Sequence, residues 1–162
     1  MNSHPCGYLT DEKHTCTCSA NQIQRYTSRI SGPLLDRIDL QIEVPAVEYR
    51  ELKQGQSSTD SRTMRERIQR ARKIQKDRYS GLHFSTNHEL SGSWLEKHCS
   101  LSEEEHDFLE SAVQRLGLSA RAYTRILRIS RTIADLDGKE EITVDQLAEA
   151  INYRFLDRRN SQ

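Results

Sequence analysis

From residue 100 onward the apolar positions recur at the three-to-four-residue spacing of amphipathic helices. Phe108, Leu109, Ala112, Val113 and Leu116 make one apolar face. Ser102 and Glu105 supply a capping box ahead of it, and Gly117 is a stop signal behind it. A second helix is predicted from about Ser119 to Gly138, with Ala122, Ile126, Ile129, Ile133 and Leu136 as its buried stripe. Thr143 caps a third, which turns Val144, Leu147, Ala148, Ile151 and Phe155 inward. Three such helices with short connections make a small bundle, expected to fold as a unit over 101–157.

Upstream the pattern changes. Residues 38–44 (Ile-Asp-Leu-Gln-Ile-Glu-Val) alternate strictly between apolar and polar, the signature of a half-buried strand, closed by Pro45. One strand cannot form a sheet, so its partners are expected outside this stretch of chain. Ser19 is a fair cap for a helix over about 20–29, Gly32-Pro33 breaks it, and residues 33–37 fit one further turn. Residues 53–61 are rich in Gly, Ser and Gln and predict a linker. A long helix is predicted over about 59–79, with a narrow stripe of Met64, Ile68, Ala71 and Ile74. A short helix is predicted around Trp94, where His98 and Cys99 read as core or edge residues.

Composition bounds the class. Lys+Arg and Asp+Glu both number 24 in 162 residues, so no global field draws the chain to nucleic acid or membrane. The balance hides segregation: residues 62–78 carry eight Arg and Lys against Glu66 and Asp77, while 103–110 carry five acidic side chains and no Lys or Arg. No apolar run approaches the ~20 residues of a bilayer span, and no signal-peptide pattern opens the chain, so a cytoplasmic protein with no membrane partner is expected.

Three features hold candidate chemistry. Arg121, Arg125 and Arg128 share one face of the second bundle helix, with Arg121 in its first turn beside a loop. They form either a solvated basic face or a fork suited to phosphate oxygens. His4-x-Cys6 and Cys16-x-Cys18 offer four ligands of the type a structural zinc takes, with His14 competing; free thiols are the alternative. The basic helix 62–78 is either solvated surface or a nucleic-acid contact, and it lacks interleaved aromatics for base stacking.

Longer runs add a family resemblance. Ser28-Arg-Ile-Ser-Gly-Pro-Leu-Leu-Asp-Arg-Ile-Asp-Leu40 resembles a signature of the Mg-chelatase-like AAA+ family, which includes bacterial ComM/YifB proteins. Leu118 through Leu136 resembles that family's lid signature. The opening Met1-Asn2, Pro5-Cys6-Gly7 and Cys16-Thr-Cys18 resemble its Asn-Pro-Cys-Pro-Cys-Gly and Cys-x-Cys segments, with Ser3 where the family has Pro and His4 where it has Cys. The three runs occur in the family's order.

The resemblance implies a mainly α chain: a C-terminal AAA+ lid-type bundle preceded by a Cys-containing knuckle, a helix and one strand from a truncated AAA+ core. It divides into 1–52 (core remnant and knuckle), 53–100 (linker and basic helix) and 101–162 (lid). It implies Asn2 as sensor 1, Arg37 as the arginine finger, with Arg29 as runner-up, and Arg121 as the sensor 2 contact to the γ-phosphate. ATP and Mg would serve the full-length parent, and zinc is a candidate for His4, Cys6, Cys16 and Cys18. The implied partners are an N-terminal ATPase half, further copies in a hexameric ring, and DNA, since ComM-type motors are linked to DNA branch migration. No phosphate-binding G-x-x-x-x-G-K-[ST] loop occurs, nor an apolar strand ending in paired acids, so the chain alone is not expected to hydrolyse ATP. Two other readings stand beside this one: a stand-alone zinc and nucleic-acid module, and a chelatase subunit for metal insertion into porphyrin.

Overall fold

The computed structural model describes residues 5–6, 15–29, 34, 37–42, 44 and 59–154, and among these residues six α-helices are formed. They are α1 (Ala20–Thr27), α2 (Ser61–Arg78), α3 (Gly92–His98), α4 (Glu103–Leu116), α5 (Ala120–Asp137) and α6 (Val144–Asn152), with a 3-10 turn at Asn87–Glu89. The chain divides into two compact units, Met1–Gln56 and Ser57–Gln162. A mainly helical chain with a C-terminal lid-type bundle is what the sequence predicts.

Local chemistry sets the helix ends in the C-terminal unit. The Ser102 backbone N–H donates to Glu105 Oε2 at 2.8 Å, and Thr143 and Gln146 repeat the capping box on α6. Gly117 and Gly138 end α4 and α5 with φ of 59° and 70°, a left-handed conformation costly for any residue bearing a Cβ. Behind Gly138 the Lys139 N–H reaches back to the Ala134 carbonyl at 2.8 Å, closing the last turn.

α5 is the axis of this unit. It packs against α2, α3, α6 and the 3-10 turn, while α4 packs against α6. The predicted stripe is present: Ala122, Ile126 and Ile133 are buried, and Ile129 and Leu136 are half-buried. Leu127, Ser130, Arg131, Ala134 and Asp135 are buried too, so α5 is covered around far more of its circumference than an amphipathic stripe predicts. Leu109, Ile126, Leu147, Ala150 and Ile151 form the centre of the core, extended by Tyr79, Phe84, Leu90 and Cys99. Each fully buried Leu or Ile contributes roughly 1.5–3 kcal/mol. Cys99 is buried as predicted, while Trp94 and His98 stack beside it with ring centroids 5.9 Å apart. Phe155 lies outside the described residues.

The N-terminal unit is organised differently. Ser19 caps α1 with a reciprocal capping box to Gln22. The Arg37 N–H bonds the Leu34 carbonyl at 3.0 Å, in keeping with a single turn there. The strand predicted at 38–44 is not formed among the described residues, none of which pairs in a sheet. Its alternation survives with inverted burial: Ile38, Leu40, Ile42 and Val44 are exposed and Gln41 is buried. A ladder needs a second strand to satisfy its backbone groups, and none is present among these residues.

Candidate functional site

Four arginines lie along α5, and the fold separates them. Arg128 Nε donates to the Leu90 carbonyl at 2.8 Å, which ties α5 to the loop before α3. Arg131 is buried; its Nη1 and Nη2 donate to the Glu140 and Lys139 carbonyls, fastening the turn into α6. Arg125 is half-buried. Arg121 is exposed in the first turn behind the Ser119 cap and makes no hydrogen bond or ion pair among the described residues. Arg121, Arg125 and Arg128 therefore do not share one free face, because Arg128 is engaged by the bundle. Of the α5 arginines, Arg121 is the exposed one, with no partner among the described residues.

At the other end of α5 lies a buried polar centre that periodicity did not reveal. Arg78, in the last turn of α2, clasps Asp135 in a two-point ion pair with N–O distances of 2.6 and 3.1 Å. Arg131 Nε approaches the same carboxylate at 3.2 Å. Asn87 Nδ2 donates to Asp135 Oδ2 at 2.8 Å and to Thr132 Oγ1 at 3.0 Å, while its Oδ1 accepts from the Tyr79 hydroxyl at 2.6 Å. Two guanidinium groups thus face one carboxylate. Burial works against the charge of Arg78, but Asp135 outweighs it and the group is held above its ordinary value. Arg131 is pushed down, chiefly by burial, with the repulsion of Arg78 adding to the effect. This centre locks α2, the 3-10 turn and α5 together. The signal available in the sequence was Arg131 and Asp135 at i, i+4, which alone does not distinguish surface from core.

In the N-terminal unit, Cys6, Cys16 and Cys18 converge, with their sulfurs all within 4.8 Å of one another. Cys6 Sγ and Cys16 Sγ are 3.7 Å apart, and the Cys18 N–H points to Cys16 Sγ at 3.4 Å. No disulfide links them. Zn–S bonds of about 2.3 Å in a tetrahedron put neighbouring sulfurs roughly 3.8 Å apart. The donor set and its spacing therefore fit zinc, with Cys6, Cys16 and Cys18 as three of the four ligands. In the metal-free thiols, burial and the facing Cys6 and Cys16 push the Cys18 thiol above its ordinary range. A bound divalent cation would reverse that direction. The fourth expected ligand, His4, lies outside the described residues, as does Asn2.

Arg37 and Arg29 are both exposed, and Arg37 forms no ion pair among the described residues. Arg37 and Arg121 belong to different compact units.

The C-terminal helical bundle is consistent with the lid domain of the magnesium-chelatase-like AAA+ family. The chain belongs to that family. Residues 58–154 match the family model described as magnesium chelatase, subunit ChlI C-terminal, and residues 1–52 match magnesium chelatase, subunit ChlI. Within the family it is similar to the competence protein ComM of Haemophilus influenzae, at 43% identity over 159 residues, 98% of this chain and 30% of that protein. It is similar to the uncharacterized protein YifB of Escherichia coli (strain K12), at 37% over 162 residues, with 98% and 30% covered. An uncharacterized protein of Mycobacterium tuberculosis is 31% identical over 154 residues, with 95% and 30% covered. The chain thus spans about 30% of the length of the curated relatives it matches. Among the described residues no helix is long and apolar enough to cross a membrane.

Proposed function

We propose that this chain is the sensor, arginine-finger and lid portion of a ring-forming AAA+ ATPase of ComM type that remodels DNA. The observation that carries the reading is Arg121. On a helix where Arg128 and Arg131 are consumed by the fold, one arginine is kept exposed at the N-terminal turn. A guanidinium there suits the terminal phosphate of a nucleotide held by the rest of the ATPase. α5 runs from that turn to the Asp135 centre, about 21 Å away at 1.5 Å per residue. A pull on Arg121 by a γ-phosphate would therefore move α5 as a rod. α2 would follow through the Arg78–Asp135 pair, and hydrolysis would release both.

In this reading Arg37 completes the ATP site of a neighbouring subunit, so turnover depends on assembly. Phosphoryl transfer is catalysed chiefly by positioning and charge, and a finger supplied in trans is worth ~10³–10⁵ in rate. Asn2 would orient the attacking water. ATP and Mg are cofactors of the whole assembly. The exposed face of Ile38, Leu40, Ile42 and Val44 meets the remainder of the ATPase core. Zinc on Cys6, Cys16, Cys18 and His4 would cross-link the opening segment.

The test is ATPase turnover of the full-length protein. Arg37→Ala should abolish turnover while leaving ATP affinity near normal. Arg121→Ala should weaken nucleotide affinity or uncouple it from turnover. Unchanged kinetics in both variants would refute the reading.

A further inference from the structure

α2 has two unlike faces. At 100° per residue, Met64, Ile68, Ala71 and Gln75 lie on one side, and Ala71 and Gln75 seal it against the bundle. Arg62, Arg65, Gln69, Arg72, Lys73 and Lys76 all fall within an arc of about 100° on another side. Every one of these six side chains is exposed. The acidic neighbours at the rim are Glu66, 3.1 Å from Arg62 in a pair so open that water competes with it, and the exposed Asp77, four residues after Lys73. The first ten residues of the helix are all exposed, so the stripe is not shielded by its own unit.

We propose that this stripe of α2 is a docking surface for the phosphate backbone of duplex DNA. From Arg62 to Lys76 the helix rises about 21 Å, roughly two-thirds of a duplex turn of ~34 Å, a length of axis that carries about a dozen phosphates on the two strands. Five cations on one face of that length can reach about five of those phosphates. Three of the five are arginines, whose planar forks grip phosphate oxygens in two-point fashion. The stripe holds no aromatic ring, so it offers nothing for unstacked bases, and the fit is to a duplex backbone without sequence preference. An acidic protein surface is the competing class. It is disfavoured because its carboxylates are not regularly spaced, whereas these cations recur on one face over about four turns, interrupted once at Gln69. The inference deepens the reading above by naming the element that touches DNA, and it rests on that reading for the partner's identity. It also gives the Arg78–Asp135 clasp a second consequence: movement of α5 would be delivered to the DNA-bound helix.

The test is fluorescence anisotropy of a labelled 30-base-pair duplex of arbitrary sequence titrated with the chain at several salt concentrations. About five neutralised phosphates give a slope of log K against log salt near −4.5. Arg65→Gln/Arg72→Gln/Lys76→Gln should bring the slope to about −2 and weaken binding at least tenfold at low salt. A control of equal charge change off the stripe, Arg67→Gln/Arg70→Gln/Arg115→Gln, should retain most of the slope. All six positions are exposed, so both variants are expected to fold, with circular dichroism as the check. Equal losses in the two triple variants, a salt-insensitive signal, tighter binding to single strands, or capture of a polyglutamate competitor in preference to duplex would each overturn the proposal. None of these readouts needs nucleotide, so their failure leaves the Arg37 and Arg121 experiment untouched.

Discussion

In the C-terminal unit Ile126, Leu147 and Ala150 are fully covered, and the buried carboxylate of Asp135 is answered by two guanidinium groups. In the N-terminal unit the order is inverted: Ile42 and Val44 are 65% and 79% exposed, and the buried side chain among them is Gln41. The first arrangement buries apolar area and satisfies its polar atoms internally, so it has what independent stability requires. The second leaves apolar area in water and converges its thiols instead. Such a segment gains its order from something added, either a metal or the surface that covers its apolar face. The two units thus differ in what holds them.

The sharpest way to break this contrast is to remove metal from one side of it. We expect about one zinc per chain in protein purified without a histidine tag. Structural zinc in small domains is worth on the order of 10 kcal/mol. Chelation, or Cys16→Ser, should therefore abolish hydrogen-exchange protection of α1 while leaving α4, α5 and α6 protected. A zinc content near zero with α1 still protected would show that the thiols are held by packing alone.

The complementary experiment is Asp135→Ala. It leaves Arg78 and Arg131 facing one another in a buried site without their carboxylate, and Asn87 without one acceptor. Removing one member of a buried charge cluster costs about 3–5 kcal/mol. Urea unfolding of the C-terminal unit should shift by that amount, with α1 unaffected. A shift below about 1 kcal/mol would mean that solvent reaches the guanidinium groups easily and that the centre is not what joins α2 to α5.

The same contrast governs how much could be read from sequence. The Ser102 capping box, the Thr143 cap and the glycine stops at 117 and 138 are local chemistry, so α4, α5 and the start of α6 were legible to within a residue or two, while α6 ends at Asn152, short of the expected Phe155. Arg121 was legible because its first-turn position follows from the Ser119 cap. The strand was not, since alternation gives a side-chain pattern while a ladder needs backbone partners from elsewhere. The Asp135 centre escaped because Arg78 and Asn87 stand 57 and 48 residues from Asp135, and only tertiary packing selects among many possible ion pairs. For the same reason Arg128 was grouped with Arg121, although the carbonyl of Leu90 claims it.

Cysteine chemistry gives the smallest effect and separates the units by pH. Cys99 lies in the C-terminal core, where burial pushes its thiol up to about 12 from an ordinary 9.0, against the opposing pull of Arg131 and Arg78. The folded state thus holds the proton more tightly than the unfolded chain. Its contribution is complete below pH 9 and is lost as pH rises toward 12. Between pH 8 and pH 10 the loss from this one group is about 1.4 kcal/mol, one pH unit beyond the unfolded value. Urea unfolding of the C-terminal unit should therefore weaken by about that much more in the wild type than in Cys99→Ala, whose side chain cannot titrate. Metal-bound thiolates in the N-terminal unit would behave oppositely: already deprotonated, they lose the metal as pH falls. α1 protection should then fail on the acid side, where the bundle's dependence on Cys99 is silent. Parallel alkaline losses in wild type and Cys99→Ala would remove the thiol from the account and leave the core's alkaline sensitivity to other groups such as Tyr79, whose hydroxyl burial also pushes up.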